Sequence, residues 1–261
     1  MNKLIKAIFL DLDGTIINKD KNMLERETID LLNKIQKKGV KVCIATSRPF
    51  ETIKDIEDIF VFQWDGIVAS FGQQIFLNNH LIFEKAIPQQ SLYAIFSISK
   101  RLSIPVYAAG EKTFFTMFND DVQSFKEMFH VQTNDIKEYE GEKIKLITLI
   151  SAKKIRYEDY FSDIPNIKFV YTGGINTDLF LDGVDKFSGI QVLLNEWGLS
   201  KNQYMAFGDS NSDLSMIINA RIGISMQNAT DELKKAADDQ CDTCQNHGVE
   251  KYLSNYFHLH R

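Results

Sequence analysis

The chain has 261 residues, 44% of them hydrophobic and 25% charged, with a formal net charge of -5. This composition excludes disordered and fibrous classes, and an acidic balance without a Lys/Arg stripe argues against a nucleic-acid surface. No stretch approaches the roughly 20 apolar residues of a membrane helix, and the apolar run at 5–10 is too short for a signal-peptide core. Neither nucleic acid nor membrane is therefore expected as a partner. Three cysteines, an odd number, do not suggest a secreted disulfide scaffold, so the cytoplasm is the expected compartment.

In chain order, residues 4–10 form an apolar run that ends in acidic residues and predicts a buried parallel strand. Residues 25–38 carry Ile29, Leu32 and Ile35 at helical spacing, closed by Gly39 in a C-cap position. Strands are predicted at 40–45 and 66–69 with a helix at 51–60 between them. Strand and helix alternate on short links, which is the pattern of a doubly wound parallel sheet. The pattern then changes. Residues 74–87 predict a hairpin turned at Asn78 and Asn79, and 89–102 a helix. Further strands are expected at 104–108, 114–118, 144–151, 167–171 and 177–181, with helices at 121–129 and 156–161. From Lys186 the parallel pattern resumes: helix 187–197, strand 204–207, helix 213–219, strand 222–225 and helices 231–237 and 249–256. The expected fold class is α/β, a Rossmann-like core of residues 1–80 and 184–261 with an α+β domain, 81–183, inserted into it.

In an open parallel sheet, ligands bind beyond the carboxyl ends of the strands. Three predicted strand ends carry chemistry: Asp11 and Asp13 after the first, Thr46, Ser47 and Arg48 after the second, and Asp209 and Asp213 after 204–207. Asp11 and Asp13 share one loop, with Gly14 permitting a tight backbone course. With Asp209 they form an acidic pocket that attracts a hard divalent cation. Thr46 reads equally as a helix N-cap ahead of Pro49, a role compatible with phosphate binding. Arg48 reads as a salt-bridge partner or a substrate contact, and Lys186 taken alone as a surface lysine.

The segments DLDGT (11–15), TSRP (46–49), KFSG (186–189) and GDSNSD (208–213) stand in the order and spacing of the four motifs of haloacid dehalogenase-type phosphatases, which the chain resembles over nearly its whole length. The insertion between the second and third motifs is similar to the large substrate-specificity cap of the Cof-type subgroup, whose members are commonly sugar-phosphate phosphatases. The resemblance implies that Asp11 is the nucleophile, forming an aspartyl phosphate, and that Asp13 is the general acid and base. It implies a magnesium ion held by Asp11, the Asp13 backbone carbonyl and Asp209. Thr46 and Ser47 would bind phosphate, Lys186 would bind it and stabilise charge, and Arg48 would contact substrate. Ser212 and Asp213 would act from behind, Asp213 orienting Lys186 or metal-bound water. The implied activity is hydrolysis of a small phosphorylated metabolite. The alternatives are a phosphomutase-type phosphotransferase and a catalytically weak metabolite-binding protein, and the oligomeric state is left open.

The chain departs from the usual Cof-type pattern at three places. Ser47 stands where glycine is usual, Ser212 where asparagine is usual, and Phe71-Gly72 where Asn-Gly is usual. Residues 110–113 or 172–176, the latter with the pair Gly173-Gly174, are the candidate inserted-domain loops for screening the substrate. Cys241, Cys244 and His247 lack a convincing fourth zinc ligand, since His258 and His260 lie in the tail. The two cysteines are expected in a late strand and loop, and Cys43 as a buried small hydrophobe.

Overall fold

The structure, a computed structural model of the chain, describes residues 4–18, 21–153, 155–171 and 175–259. Gly173, Gly174 and His260 lie outside the described residues, as does most of the expected 172–176 loop. The elements run β1 (Ala7–Leu10), α1 (Arg26–Gln36), β2 (Lys41–Ala45), α2 (Phe50–Ile53), β3 (Gly66–Ala69), β4 (Gln74–Leu77) and β5 (His80–Glu84). They continue with α3 (Gln89–Leu102), β6 (Val106–Gly110), β7 (Phe114–Phe115), α4 (Asp120–Phe129), β8 (Ile144–Ile150), α5 (Glu158–Phe161), β9 (Ile167–Tyr171) and β10 (Asn176–Leu181). The last part holds α6 (Lys186–Glu196), β11 (Tyr204–Gly208), α7 (Leu214–Ile218), β12 (Ile222–Met226), α8 (Asp231–Ala236), β13 (Asp239–Cys241) and α9 (Gly248–Tyr256). No described helix is long and apolar enough to cross a membrane.

The chain divides into two compact units. Unit 1 comprises Met1–Ser47, Ile56–Glu84 and Val184–Arg261; unit 2 comprises Arg48–Asp55 and Lys85–Gly183. Residues 48–55 thus group with the insertion, whereas residues 81–84 complete a hairpin of unit 1.

Unit 1 is built on an eight-stranded sheet of order β13-β12-β11-β1-β2-β3-β4-β5. Strands β13 to β3 are parallel, and β4 and β5 add an antiparallel hairpin at one edge. The central strands are buried along their length because their residues are apolar on both faces, as in AIFL of β1 and YMAFG of β11. The helix α1 buries Ile29, Leu31, Leu32 and Ile35. Strand order reverses at β1, which lies between β2 and β11, so the topological switch point falls where β1 and β11 end.

Unit 2 is a five-stranded antiparallel sheet, β7-β6-β8-β10-β9. Its apolar core gathers Leu92 and Ile95 of α3, Val106, Ile147 and Leu179 of the strands, and Phe161 of α5. The α/β class with an inserted α+β domain is borne out. Several element predictions need correction: the first strand begins at Ala7 and not at residue 4, and the hairpin expected at 74–87 ends at Glu84. The expected helix 51–60 is the single turn α2: Asp58 is left-handed with φ 59°, and Glu57 bonds its backbone to residues 22 and 24. The strand expected at 104–108 begins two residues later, after Pro105, which has no N–H to give a ladder. That expected at 114–118 is only Phe114–Phe115.

Candidate active site

The site grows from the carboxyl ends of β1, β2 and β11. Asp11 is the first residue after β1, and its N–H donates to the Phe207 carbonyl of β11 at 3.1 Å. The chain then folds on itself. The N–H groups of Thr15, Ile16 and Ile17 converge on the Leu12 carbonyl, and Gly14 takes φ 90°. This tight turn brings the Thr15 hydroxyl to Asp11 Oδ2, to which it donates at 3.2 Å. Asp13 sits in the same turn, half-buried.

On the β11 side, Asp209 is followed by the one-turn segment Asn211–Asp213. Asp213 Oδ2 accepts from the N–H groups of Asp209 and Ser210 at 3.0 and 2.9 Å, which freezes its carboxylate in place. Ser212 hydrogen-bonds Ser210 through their hydroxyls at 2.8 Å. Lys186 opens α6, whose N-terminus is closed by a capping box: Asp185 accepts from Ser188 N–H at 2.7 Å, and Ser188 Oγ accepts from Asp185 N–H at 2.9 Å. From there Lys186 Nζ donates to Asp11 Oδ1 at 2.7 Å and to Asp213 Oδ1 at 2.5 Å. Lys186 and Asp213 are fully buried and Asp11 is 5% exposed.

Such burial governs the electrostatics. Desolvation first, then the negative Asp213, push the Asp11 pKa up to about 7 against the pull of the Lys186 ammonium. Burial pulls the Lys186 pKa down, but the Asp11 and Asp213 carboxylates outweigh it and raise it well above the ordinary lysine value. Of the two, the ammonium is the firmer: two carboxylates within 2.7 Å keep it charged, and its charge favours ionised Asp11.

Acceptor atoms of Asp11, Asp209 and Asp213 lie within 4.8 Å of one another, all three buried. One ammonium cannot balance three buried carboxylates, and uncompensated buried charge is costly. An all-oxygen donor set with an excess of negative charge fits a hard divalent cation. The Asp13 carboxylate is not a member of this trio.

Thr46 follows β2 and is fully buried; its N–H donates to Val68 O at 2.8 Å and its carbonyl accepts from Phe71 N–H at 3.2 Å. It does not cap α2, whose N-cap is Pro49. Ser47 beside it is half-buried. Arg48 belongs to unit 2, where its charge is felt by Tyr107 and Asp55. Asn228 escaped the sequence prediction. It follows β12, and its Nδ2 donates to the Gly14 carbonyl at 3.1 Å and to Asp209 Oδ2 at 3.3 Å, tying the β1 and β11 loops together. Its place just beyond a parallel strand next to β11 was the available signal.

A buried carboxylate held by a lysine, next to further carboxylates at a switch point, is a constellation of the kind enzymes gather at a reacting centre. Across residues 8–253 the chain matches the haloacid dehalogenase-like hydrolases, and it belongs to that family. Among curated proteins, YkrA of Bacillus subtilis (strain 168) is 27% identical over 238 residues, covering 89% of this chain and 90% of that protein. The 5-amino-6-(5-phospho-D-ribitylamino)uracil phosphatase YitU of the same organism is 25% identical, covering 97% of each chain. Among solved structures, the superfamily phosphatase BT1666 from Bacteroides thetaiotaomicron superposes with a TM-score of 0.85 at 22% identity, covering 98% of this chain and 96% of that one. The subclass IIB sugar phosphatase BT4131 gives 0.84 at 24% identity, covering 96% and 98%. The resemblance carried by the four motifs is borne out at the level of family and enzyme class, a phosphatase of the haloacid dehalogenase type.

Proposed function

We propose that this chain is a magnesium-dependent phosphatase of small phosphorylated metabolites, sugar phosphates foremost, working in the cytoplasm through an aspartyl phosphate on Asp11. The observation that carries this reading is the buried contact of Lys186 with both Asp11 and Asp213, beside Asp209. The names of YitU and BT4131, a ribityl-phosphate and a sugar phosphatase, support the substrate class. The absence of disulfides, with all three cysteines free, suits the compartment.

In this mechanism an Asp11 carboxylate oxygen attacks phosphorus, the ester P–O bond breaks, and Asp13 gives its proton to the departing alkoxide. Asp13 then takes a proton from water as that water attacks phosphorus, releasing inorganic phosphate and restoring Asp11. Lys186 offsets the charge on the attacking carboxylate and the phosphoryl oxygens, while Asp213 holds the amine in place. Thr46 and Ser47 bind phosphate oxygens, and Ser212 supports the Asp213 loop. Asp11 and Asp209, with the Asp13 backbone carbonyl, would hold the magnesium ion, which when bound lowers the repulsion between carboxylate and phosphate dianion. Unit 1 is then the catalytic core and unit 2 the substrate-specificity cap, Arg48 contributing to substrate contact.

The test is phosphate release from a panel of phosphorylated metabolites with magnesium and with chelator, comparing wild type with Asp11→Asn. Release should need the metal and fall by about 10³-fold or more in the variant. Release that survives in Asp11→Asn removes the nucleophile. An isomeric phosphate ester in place of inorganic phosphate points to a mutase, and tight binding without turnover to a metabolite-binding protein.

A further inference from the structure

Ser70, Phe71 and Gly72 follow β3, and all three are left-handed, with φ of 50°, 56° and 96°. Single left-handed residues are ordinary in turns. Three in a row, two of them with side chains, persist only where the surroundings hold them. Here Phe71 N–H donates to the Thr46 carbonyl at 3.2 Å, and the Ser70 carbonyl accepts from both the backbone N–H and the side-chain amide of Gln73, at 3.1 and 3.0 Å. Ser70 and Phe71 are both buried. Gly72 rests on the start of α6. A Cβ built on Gly72 would lie 2.2 Å from the Asp185 carbonyl oxygen, and one built on Gly189 would lie 3.1 Å from Gly72 Cα. Two glycines therefore let turn and helix meet backbone to backbone, one residue away from Lys186.

We infer that the Ser70–Gly72 turn is the positioning element for Lys186, with Gly72 and Gly189 as positioning residues. They set how closely the α6 N-terminus approaches the strand ends, and hence the reach of the amine to Asp11 and Asp213. The kinetic consequence rests on the phosphatase reading; the geometric one does not. A methyl at position 72, 2.2 Å from the Asp185 carbonyl oxygen, requires that carbonyl to retreat by more than about 1 Å to reach ordinary contact. A displacement of that size at a reacting group costs up to about 10²-fold in rate.

The experiment compares Gly72→Ala and Gly189→Ala with Gly198→Ala. Gly198 lies beyond the other end of α6 with φ 63° and no neighbouring atom within 4 Å of a built Cβ. Gly72→Ala and Gly198→Ala both force alanine into left-handed backbone and both lower Tm, but only Gly72→Ala presses on the α6 N-terminus, at the Asp185 carbonyl. For Gly72→Ala and Gly189→Ala, kcat per folded molecule should fall about 10- to 100-fold with KM within about threefold of wild type. For Gly198→Ala it should not change. In parallel, the ¹⁵N signal of the Lys186 ammonium should shift in the first two variants and stay in place in Gly198→Ala. An unshifted signal, or a kcat per folded molecule equal to wild type, overturns the inference. If wild type releases no phosphate, the phosphatase reading fails while the lysine signal still decides this one. If Gly72→Ala does not fold, Gly189→Ala decides, because its closest contacts are the side-chain ends of Val68 and Ile75.

Discussion

Phe71 occupies a backbone region that bulky L-residues avoid, at a cost of about 1–2 kcal/mol. Its side chain is nearly fully buried, and burying a phenylalanine contributes about 1.5–3 kcal/mol, so burial holds the residue in its strained turn. Phe71→Ala keeps the strain and loses the burial. It should destabilise by about 3–5 kcal/mol in denaturant unfolding, and a change below about 1 kcal/mol would show that the ring contributes nothing. Asp11 behaves in the opposite sense. Its raised pKa means that the fold disfavours its charge, so Asp11→Asn should melt no lower than wild type at pH 8 in chelator. A lower Tm there would mean that lost activity and lost folding are mixed in that variant. The strand-end carboxylates and Lys186 were legible in the sequence as motif residues. Asn228 had only its place beyond a strand to mark it, and a lone asparagine shows its use when two loops distant in sequence are brought together.

At the scale of elements, hydrophobic spacing located most strands and helices of the α/β core to within about three residues. It failed at 51–60. Ile53, Ile56 and Ile59 recur at helical spacing and all are buried, yet they are buried by a helical turn followed by an irregular segment. Periodicity reports which residues are covered and not the backbone path between them. The α6 N-terminus shows a local device at work. Removing the cap by Asp185→Ala should lower stability by about 1 kcal/mol. Because the cap precedes Lys186 directly, kcat per folded molecule should also fall, and Asp185→Asn should restore most of both. Loss of Tm with kcat untouched would separate the cap from the amine.

For the whole molecule, pH dependence is written partly in unit 2. Asp178 lies on β10 opposite Thr148, whose hydroxyl donates to its Oδ1 at 2.8 Å. Burial raises its pKa from 3.8 to about 6, despite the hydrogen bonds from Thr148 and Asn176. The folded state therefore binds this proton more tightly than the unfolded chain. Stability from this group is fully present below about pH 4 and is lost as pH rises through about 6, a difference of about 3 kcal/mol. Asp178→Asn should raise Tm at pH 7.5 and leave it unchanged at pH 4. Equal effects at both values would assign the change to packing instead of charge.

The grouping of Arg48–Asp55 with Lys85–Gly183 bears on how such a molecule could be recombined. Glu51 of α2 forms an ion pair with the buried Lys145 of β8 at 3.0 Å, so that short segment is matched to this particular insertion. A chimaera that exchanged only residues 85–183 for those of a relative would leave an orphaned carboxylate facing a stranger. Transplanting 48–55 together with 85–183 takes both partners of such a pair from one chain, so an exchange of unit 2 involves two separate stretches of sequence.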